Sequence, residues 1–229
     1  MRQQRTIYFN DARHLYLYFF EPPMRLEDAW RPVDEVAGTG VYTFIYGVSR
    51  WDGLFYPSKV GMRFGADKQP FQAAHYWRVW ENMQSLIDQG LDPMAVLIDR
   101  AHQKGMDFFA SLGMGDFPGP NSIYAVPEGR GYVHPEACEH QIAVLKELST
   151  DYAVDGIELD FAEAPHGHQF CLRPEDVAEY TPTITDMVRV VAEMVRNRPG
   201  KAGLIGARIF PTEELNRQTG LDVDTWLRE

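Results

Sequence analysis

The sequence predicts an α/β fold built on a parallel sheet, and an incomplete (β/α)8 TIM barrel with about five of the strands present fits best. Three observations favour this fold. Short β-branched and aromatic runs alternate along the chain with longer segments of helical pattern. The long loops follow predicted strands, as βα-loops do. No Gly-rich dinucleotide-binding sequence follows the first strand, so a doubly wound open sheet is only the alternative.

The predicted strands are short apolar runs, at residues 5–10, 41–49, 106–116, 154–161 and 202–210. Residues 15–23 predict an extra strand or a covering loop. Residues 50–69, rich in glycine and aromatic residues, predict a long loop of a kind that is often functional. The predicted helices lie at residues 25–40, 70–90, 91–105, 134–152, 173–200, 212–220 and 222–229.

The helix at 91–105 has clear end signals. Asp92 can cap its first turn, Pro93 occupies the first helical position, and Gly105 ends it. Pro182 predicts a break or a kink in the helix at 173–200.

The number of strands predicts an unclosed barrel. A closed barrel of this fold has eight strands and typically about 250 residues. The chain has 229 residues. We therefore expect a single barrel domain over residues 1–229 that forms the N-terminal part of a longer barrel. It would be a domain fragment, the product of a truncated reading frame, or a split protein that a partner completes.

Composition argues against several classes of partner. The net charge of −11 and the pI of about 5.1 disfavour a nucleic acid, because phosphates would be repelled. No apolar run approaches the roughly 20 residues of a membrane span, and the first residues do not resemble a secretory signal, so a cytoplasmic location is the default expectation. Cys138 and Cys171 predict small buried side chains rather than a disulfide scaffold. The oligomeric state is not predicted.

The strand VDGIELDF (154–161) carries an unusual amount of negative charge. Because side chains alternate between the two faces of a strand, Glu158 and Asp160 share one face and the apolar side chains share the other. In a barrel the apolar face packs against the outer helices. Glu158 and Asp160 then point into the barrel near its C-terminal end, where active sites of this fold lie. Asp155, at the start of the strand, is expected at the surface or in a turn.

Two carboxylates on one strand face suit glycoside hydrolysis. They lie ~6–7 Å apart along the strand. In this reaction one carboxyl group protonates the leaving oxygen and a second acts as nucleophile or base, and the second group commonly comes from another strand. The alternative is that one or both are structural and are neutralised inside the barrel by an arginine such as Arg208.

Three segments carry a resemblance to a known group of proteins. VDGIELDF, LIDRAHQKGMDFFASLGMGD and LIGARIFPTEELNRQTGLDVDTWLRE resemble the glycosyl hydrolase-like 10 group of bacterial TIM-barrel proteins, which is distinct from the true family 10 xylanases. The similarity extends over residues 40–229. It implies a barrel that continues after the DVDTWLRE helix, and it implies a carbohydrate-active hydrolase.

The chain departs from the pattern of that group near the carboxylates. The resemblance implies a basic residue soon after ELDF, where the chain has Ala162, Glu163 and Ala164. It also implies polar residues near Gly113 and at Gly115. The DGxDxDxE strand of chitinase-like barrels is matched in part, but Ala162 occupies the place of its catalytic Glu, which argues against chitinase-type chemistry.

Polar residues at the mouths of the predicted strands are further candidates for substrate binding. Asn10 and Asp11 follow the first strand and Asp116 follows the third, and each can bind sugar hydroxyls or form turns and caps. Arg208 lies on the last strand and can pair with the carboxylates or bind an anionic substrate.

The long loop after the second strand contains Arg50 and Trp51, and a tryptophan at the mouth of a barrel can stack on a sugar or pack within its loop.

Three functional hypotheses result. The first is a glycoside hydrolase-like protein that cleaves a polysaccharide or oligosaccharide without metal or cofactor, with Glu158 as general acid/base and Asp160 orienting or tuning it. The second, motivated by the departures, is a non-catalytic carbohydrate-binding or degenerate barrel. The third is a metal-dependent barrel hydrolase using His166 and His168 of the HGH sequence. The glycan and the stereochemical outcome are not predicted.

Overall fold

The structure is a computed structural model that describes residues 5–50, 52–114, 131–162, 172, 174–200 and 203–229. The strands are β1 (Ile7–Asp11), β2 (Thr43–Gly47), β3 (Ser49–Arg50), β4 (Gly53–Leu54), β5 (Met62–Arg63), β6 (Asp107–Gly113), β7 (Gly156–Asp160) and β8 (Leu204–Arg208). The helices are α1 (Leu26–Asp34), α2 (Ala74–Asp88), α3 (Pro93–Gln103), α4 (Pro135–Asp151), α5 (Val177–Arg196), α6 (Glu213–Gln218) and α7 (Val223–Trp226).

The main sheet contains five strands in the order β1-β2-β6-β7-β8. Every neighbouring pair is parallel, and each strand lies beside the next main-sheet strand along the chain. Helices connect these strands, as the βα alternation of the sequence predicts. The predicted α/β fold with five strands of a (β/α) barrel is confirmed, and β1 and β8 are the two edges of the sheet within the described residues.

The helix-facing side of the sheet holds the core. The rings of Phe44 and Phe108 lie 5.7 Å apart there, on neighbouring strands. Ile157 and Leu159 of β7 are fully buried on the same side. Burial of these side chains supplies most of the stabilisation of such a sheet, at about 25 cal/mol per Å² of apolar surface. The opposite face, called the inner face below, therefore carries Glu158 and Asp160, as the alternation predicts.

Two segments differ from the prediction. Within the predicted loop 50–69, β4 pairs with β3 and β5 in a small three-stranded sheet, and the Phe55 and Phe64 rings pack 5.0 Å apart. Pairs of two-residue strands give no periodicity in a sequence, so the pattern does not predict them. The apolar segment 15–23, predicted as a strand or a covering loop, begins differently. Arg13–Leu17 forms a π-helical turn in which Tyr16 and Leu17 are buried.

The helix ends follow the predicted chemistry. Asp92 caps α3 by accepting hydrogen bonds from the backbone N–H groups of Met94 and Ala95, at 2.8 and 3.1 Å. Gly105 has a left-handed φ of 73° after α3.

Helix α5 is unbroken from Val177 to Arg196 and includes Pro182. In the described part of the chain, no helix combines the length and the apolar character that crossing a membrane requires.

Candidate functional site

Three neighbouring strands bring the charged candidates together at the carboxyl end of the inner face. In the register of the sheet, Glu158 of β7 lies beside Ser111 of β6, and Asp160 of β7 lies beside Arg208 of β8. Residues in register on parallel strands point to the same face. The sheet therefore places Ser111, Glu158, Asp160 and Arg208 in one cluster at the end of the strands where barrel active sites lie.

Glu158 is buried but has one open oxygen. Its Oε2 accepts a hydrogen bond from the Ser111 hydroxyl at 2.6 Å and a second from Arg208 Nη2 at 3.0 Å. No described residue donates to Oε1. The side chain keeps 12% of its surface accessible. One oxygen is thus anchored to the protein, and the other faces the inner side of the sheet.

Asp160, unlike Glu158, has contacts with described residues at both carboxylate oxygens. Its side chain is 1% exposed. Oδ1 accepts a hydrogen bond from the backbone N–H of Ala162 at 3.0 Å. Oδ2 lies 2.9 Å from Arg208 Nη1, a contact that is an ion pair rather than a directed hydrogen bond. Asp160 therefore fixes the backbone after β7 and the guanidinium beside it.

Arg208 joins the two carboxylates. One end of its guanidinium contacts Glu158 and the other contacts Asp160. The guanidinium carbon also lies 3.9 Å from the centre of the Phe9 ring, on the inner face of β1. Arginine is suited to this arrangement because its planar group binds carboxylates at the edge and stacks on aromatic rings by its face. The pairing of Arg208 with the carboxylates, one of the two predicted alternatives, is present.

There is open space beside Glu158. Gly206 lies opposite Glu158 on β8, and an added Cβ at Gly206 would meet no atom within 4 Å. On the other side Ser111 is small. Small residues on both flanks thus leave open space on the inner face beside the Glu158 side chain.

The remaining predicted residues lie apart from this cluster. Asn10 is fully buried, and the alternation of β1 places it on the helix-facing side. Its two amide atoms have no hydrogen-bond partner among the described residues. Asp11 is on the inner face, but it accepts hydrogen bonds from Arg13 N at 3.0 Å and from His14 Nδ1 at 2.6 Å, which is turn chemistry.

Arg50 is half-buried in β3, beyond the end of β2. Trp51 and Asp116 lie outside the described residues, as do His166 and His168. Within the described ranges, no group of three or more His, Cys, Asp and Glu side chains is arranged to hold a metal ion.

The sequence pattern misses two members of the cluster, Ser111 and Phe9. Both lie on predicted strands, and strand alternation alone places each on one face or the other. The register between strands decides that Ser111 lies beside Glu158, and register is set by the folded sheet.

A second buried carboxylate, Glu147 of α4, has a different environment. Its Oε2 accepts hydrogen bonds from Tyr56 Oη at 2.9 Å and Ser58 Oγ at 2.5 Å, and its Oε1 accepts one from Lys59 N at 2.6 Å. Burial, followed by the charge of Glu147, raises the pKa of Tyr56 well above its usual value. Glu147 thus ties the loop after β4 to the helix layer.

A pocket of about 420 Å³ borders Glu147 between α3 and α4, away from Glu158. It is lined by several carboxylates, but both Glu147 oxygens and the Asp92 side chain already accept hydrogen bonds from protein groups. Pocket size alone therefore does not identify the functional site, and the open oxygen of Glu158 is the more specific signal.

Comparison with known proteins gives a fold but no family. No protein-family model and no curated protein sequence matches the chain. Among solved structures, GH5_18 from Bifidobacterium longum superposes with a TM-score of 0.50 at 10% sequence identity, covering 89% of this chain and 43% of that chain.

Two further structures are similar. The noncanonic maltogenic alpha-amylase AmyB from Thermotoga neapolitana has a TM-score of 0.46 at 13% identity, covering 98% of this chain and 50% of that chain. An alpha-L-fucosidase GH29 from Bacteroides thetaiotaomicron has a TM-score of 0.46 at 14% identity, covering 82% of this chain and 35% of that chain.

The chain thus spans half or less of the length of these three structures. At such low identities the similarity shows the fold alone, and the GH5_18 superposition, with its TM-score of 0.50, carries that conclusion. The predicted (β/α) barrel fold is confirmed at this level. Membership of the glycosyl hydrolase-like 10 group stays a prediction.

Proposed function

We propose that the carboxyl end of the inner face is a glycoside hydrolase-type site in which Glu158 is the general acid/base. The observation that carries the proposal is the unequal bonding of the two Glu158 oxygens. Oε2 accepts hydrogen bonds from two donors, whereas Oε1 accepts none from the residues that the structure describes. Asp160, which is buried and engaged at both oxygens, orients the cluster through Arg208. We propose a carbohydrate as the substrate class, following the names of the structural neighbours.

The geometry supports a proton transfer at Oε1. A proton carried on Oε1 leaves Oε2 free to accept from Ser111 and Arg208. This proton passes to the leaving glycosidic oxygen as the bond from the anomeric carbon breaks. Water then supplies a hydroxyl group to the anomeric carbon, and the remaining proton returns to the carboxylate. The substrate oxygen would occupy the open space beside Gly206.

The test compares wild-type protein and Glu158→Gln on 4-nitrophenyl α- and β-glycosides of glucose, mannose, fucose and N-acetylglucosamine. Loss of a general acid/base lowers turnover by about a hundred- to ten-thousandfold. The loss should be smaller on 2,4-dinitrophenyl glycosides, whose leaving group needs little protonation. Glu193→Gln, an exposed carboxylate on α5, is the control and should keep wild-type turnover. Unchanged turnover in Glu158→Gln would remove the assignment.

A second candidate function is carbohydrate binding without hydrolysis. The specific observation in its favour is that Arg208 already pairs with both Glu158 and Asp160, as in a structural ion-pair network. Calorimetric binding of an oligosaccharide, with no hydrolysis of it or of the aryl glycosides over days, would favour this candidate over the first.

A further inference from the structure

The two donors to Glu158 Oε2 come from opposite sides. Ser111 Oγ approaches from β6 at 2.6 Å, and Arg208 Nη2 approaches from β8 at 3.0 Å. Ser111 is 2% exposed, so its hydroxyl is shielded from water and is committed to this bond. The carboxylate is therefore held between two strands at one of its two oxygens.

We propose that Ser111 is the positioning residue that keeps Glu158 Oε1 open, a proposal that rests on the proposed role of Glu158. An arginine and a carboxylate by themselves favour a two-point contact in which both oxygens meet the guanidinium. In this cluster Arg208 gives one nitrogen to Glu158 and turns the other toward Asp160. The hydroxyl of Ser111 draws Oε2 toward β6 and so opposes the closed two-point contact.

The surroundings of Ser111 fit this role. Gly47 lies in register with it on β2, and the Phe9 ring covers Gly47, since an added Cβ at that glycine would lie 3.0 Å from a Phe9 ring carbon. The same ring stacks on Arg208. Ser111 thus places its hydroxyl beside Oε2 on the inner face, next to a strand position that the Phe9 ring covers.

Loss of the hydroxyl frees the carboxyl group to rotate. Both Glu158 oxygens can then face Arg208, and Oε1 no longer faces the open side. We expect Ser111→Ala to lower kcat about ten- to a hundredfold, the range of one hydrogen bond to a charged group, while KM changes less than about twofold. Ser111→Cys keeps the size of the side chain but provides a weak donor, so it should resemble Ser111→Ala.

The control is Ser149→Ala. Ser149 is 1% exposed on α4, and its hydroxyl has no hydrogen-bond partner in the part of the chain that the structure describes. Ser149 is as buried as Ser111 but makes no side-chain hydrogen bond to a described residue, so its substitution should leave kcat at the wild-type value. Equal losses of kcat in Ser149→Ala and Ser111→Ala would overturn the proposal, because the effect would then follow from loss of a buried hydroxyl in general.

A second measurement does not depend on turnover. The full chain is labelled with glutamate carrying 13C at the carboxyl carbon, and the Glu158 resonance is assigned from the signal missing in Glu158→Gln. That resonance should move in Ser111→Ala and stay in place in Ser149→Ala. An unmoved resonance in Ser111→Ala, or wild-type kcat in that variant, overturns the positioning role. Absence of any wild-type hydrolysis overturns the proposed function instead, and the resonance then decides the Ser111 contact by itself.

Discussion

Glu147 and Glu158 are buried to the same degree, with 7% and 9% of their surfaces exposed, but their surroundings differ. Glu147 accepts hydrogen bonds at both oxygens, from a phenol, a hydroxyl and a backbone N–H group. Among the described residues, donors reach Glu158 at one oxygen only. Glu147 also borders the pocket of about 420 Å³, whereas Glu158 lies on the inner face of the sheet.

The comparison teaches that burial of a charge does not identify a functional site. A buried carboxylate whose oxygens are all satisfied fixes the structure around it, because breaking its bonds leaves several donors unpaired. A carboxylate with an open oxygen in partly buried surroundings retains the capacity to act on another molecule. We therefore expect opposite effects of substitution: replacing Glu147 should mainly lower stability, and replacing Glu158 should mainly lower activity.

The largest expected effect is on stability at Glu147. Glu147→Ala leaves Tyr56 Oη, Ser58 Oγ and Lys59 N without their acceptor, so we expect the free energy of unfolding to fall by about 3–5 kcal/mol. Glu158→Ala leaves the Ser111 hydroxyl without its acceptor, but Arg208 keeps Asp160 as a partner, so we expect a smaller loss of about 1–3 kcal/mol. Urea denaturation of both variants measures the difference. Equal losses would contradict the comparison.

The sequence predicts the position of Glu158 in the sheet, because this position follows from strand periodicity. Because side chains alternate strictly along a strand, the residue pattern of β7 is sufficient to place Glu158 and Asp160 together on the inner face. The cap at Asp92 is similarly local, since its acceptor and donors lie within three residues.

The parts that fail depend on contacts distant along the chain. Asp155, expected at the surface or in a turn, is 6% exposed, because His102 Nε2 and Phe108 N donate to it from 53 and 47 residues away. Asn10, expected at the mouth of the first strand, is buried for another reason. At a strand end, adjacent residues face opposite sides, so Asp11 reaches the inner face and Asn10 the core. The donors to Glu147 are 88 to 91 residues away from it, and no local pattern marks them.

The second prediction tests whether the Glu158 cluster also stabilises the fold. Arg208→Met removes the charge that two carboxylates share, and we expect a loss of about 1–3 kcal/mol, reduced by the 30% exposure of the Arg208 side chain. In a Glu158→Gln background the same change should cost less, since one carboxylate no longer needs the cation. Urea denaturation of the four proteins of this cycle gives the coupling. Equal costs in both backgrounds would show that Arg208 is not coupled to Glu158 and stabilises the fold through Asp160 and Phe9.

The smallest effect concerns one donor to Glu147. Tyr56→Phe removes the hydrogen bond at 2.9 Å and should cost about 1–2 kcal/mol at pH 8. Burial, then the charge of Glu147, raises the pKa of Tyr56 above its ordinary value of 10.0, so the folded protein retains a proton that the unfolded chain releases. The stability that comes from this phenol is complete below about pH 10 and is lost as the pH rises further.

Measured stabilities at pH 8 and pH 10.5 should therefore converge between the wild-type protein and Tyr56→Phe as the pH rises. Ser58→Ala is the matched control, because it removes another donor to the same carboxylate but leaves the phenol in place. It should be destabilised at both pH values by a similar amount. If Tyr56→Phe keeps the full pH dependence of the wild-type protein, the phenol does not hold its proton against Glu147, and the account of Glu147 as a carboxylate satisfied by three donors is wrong.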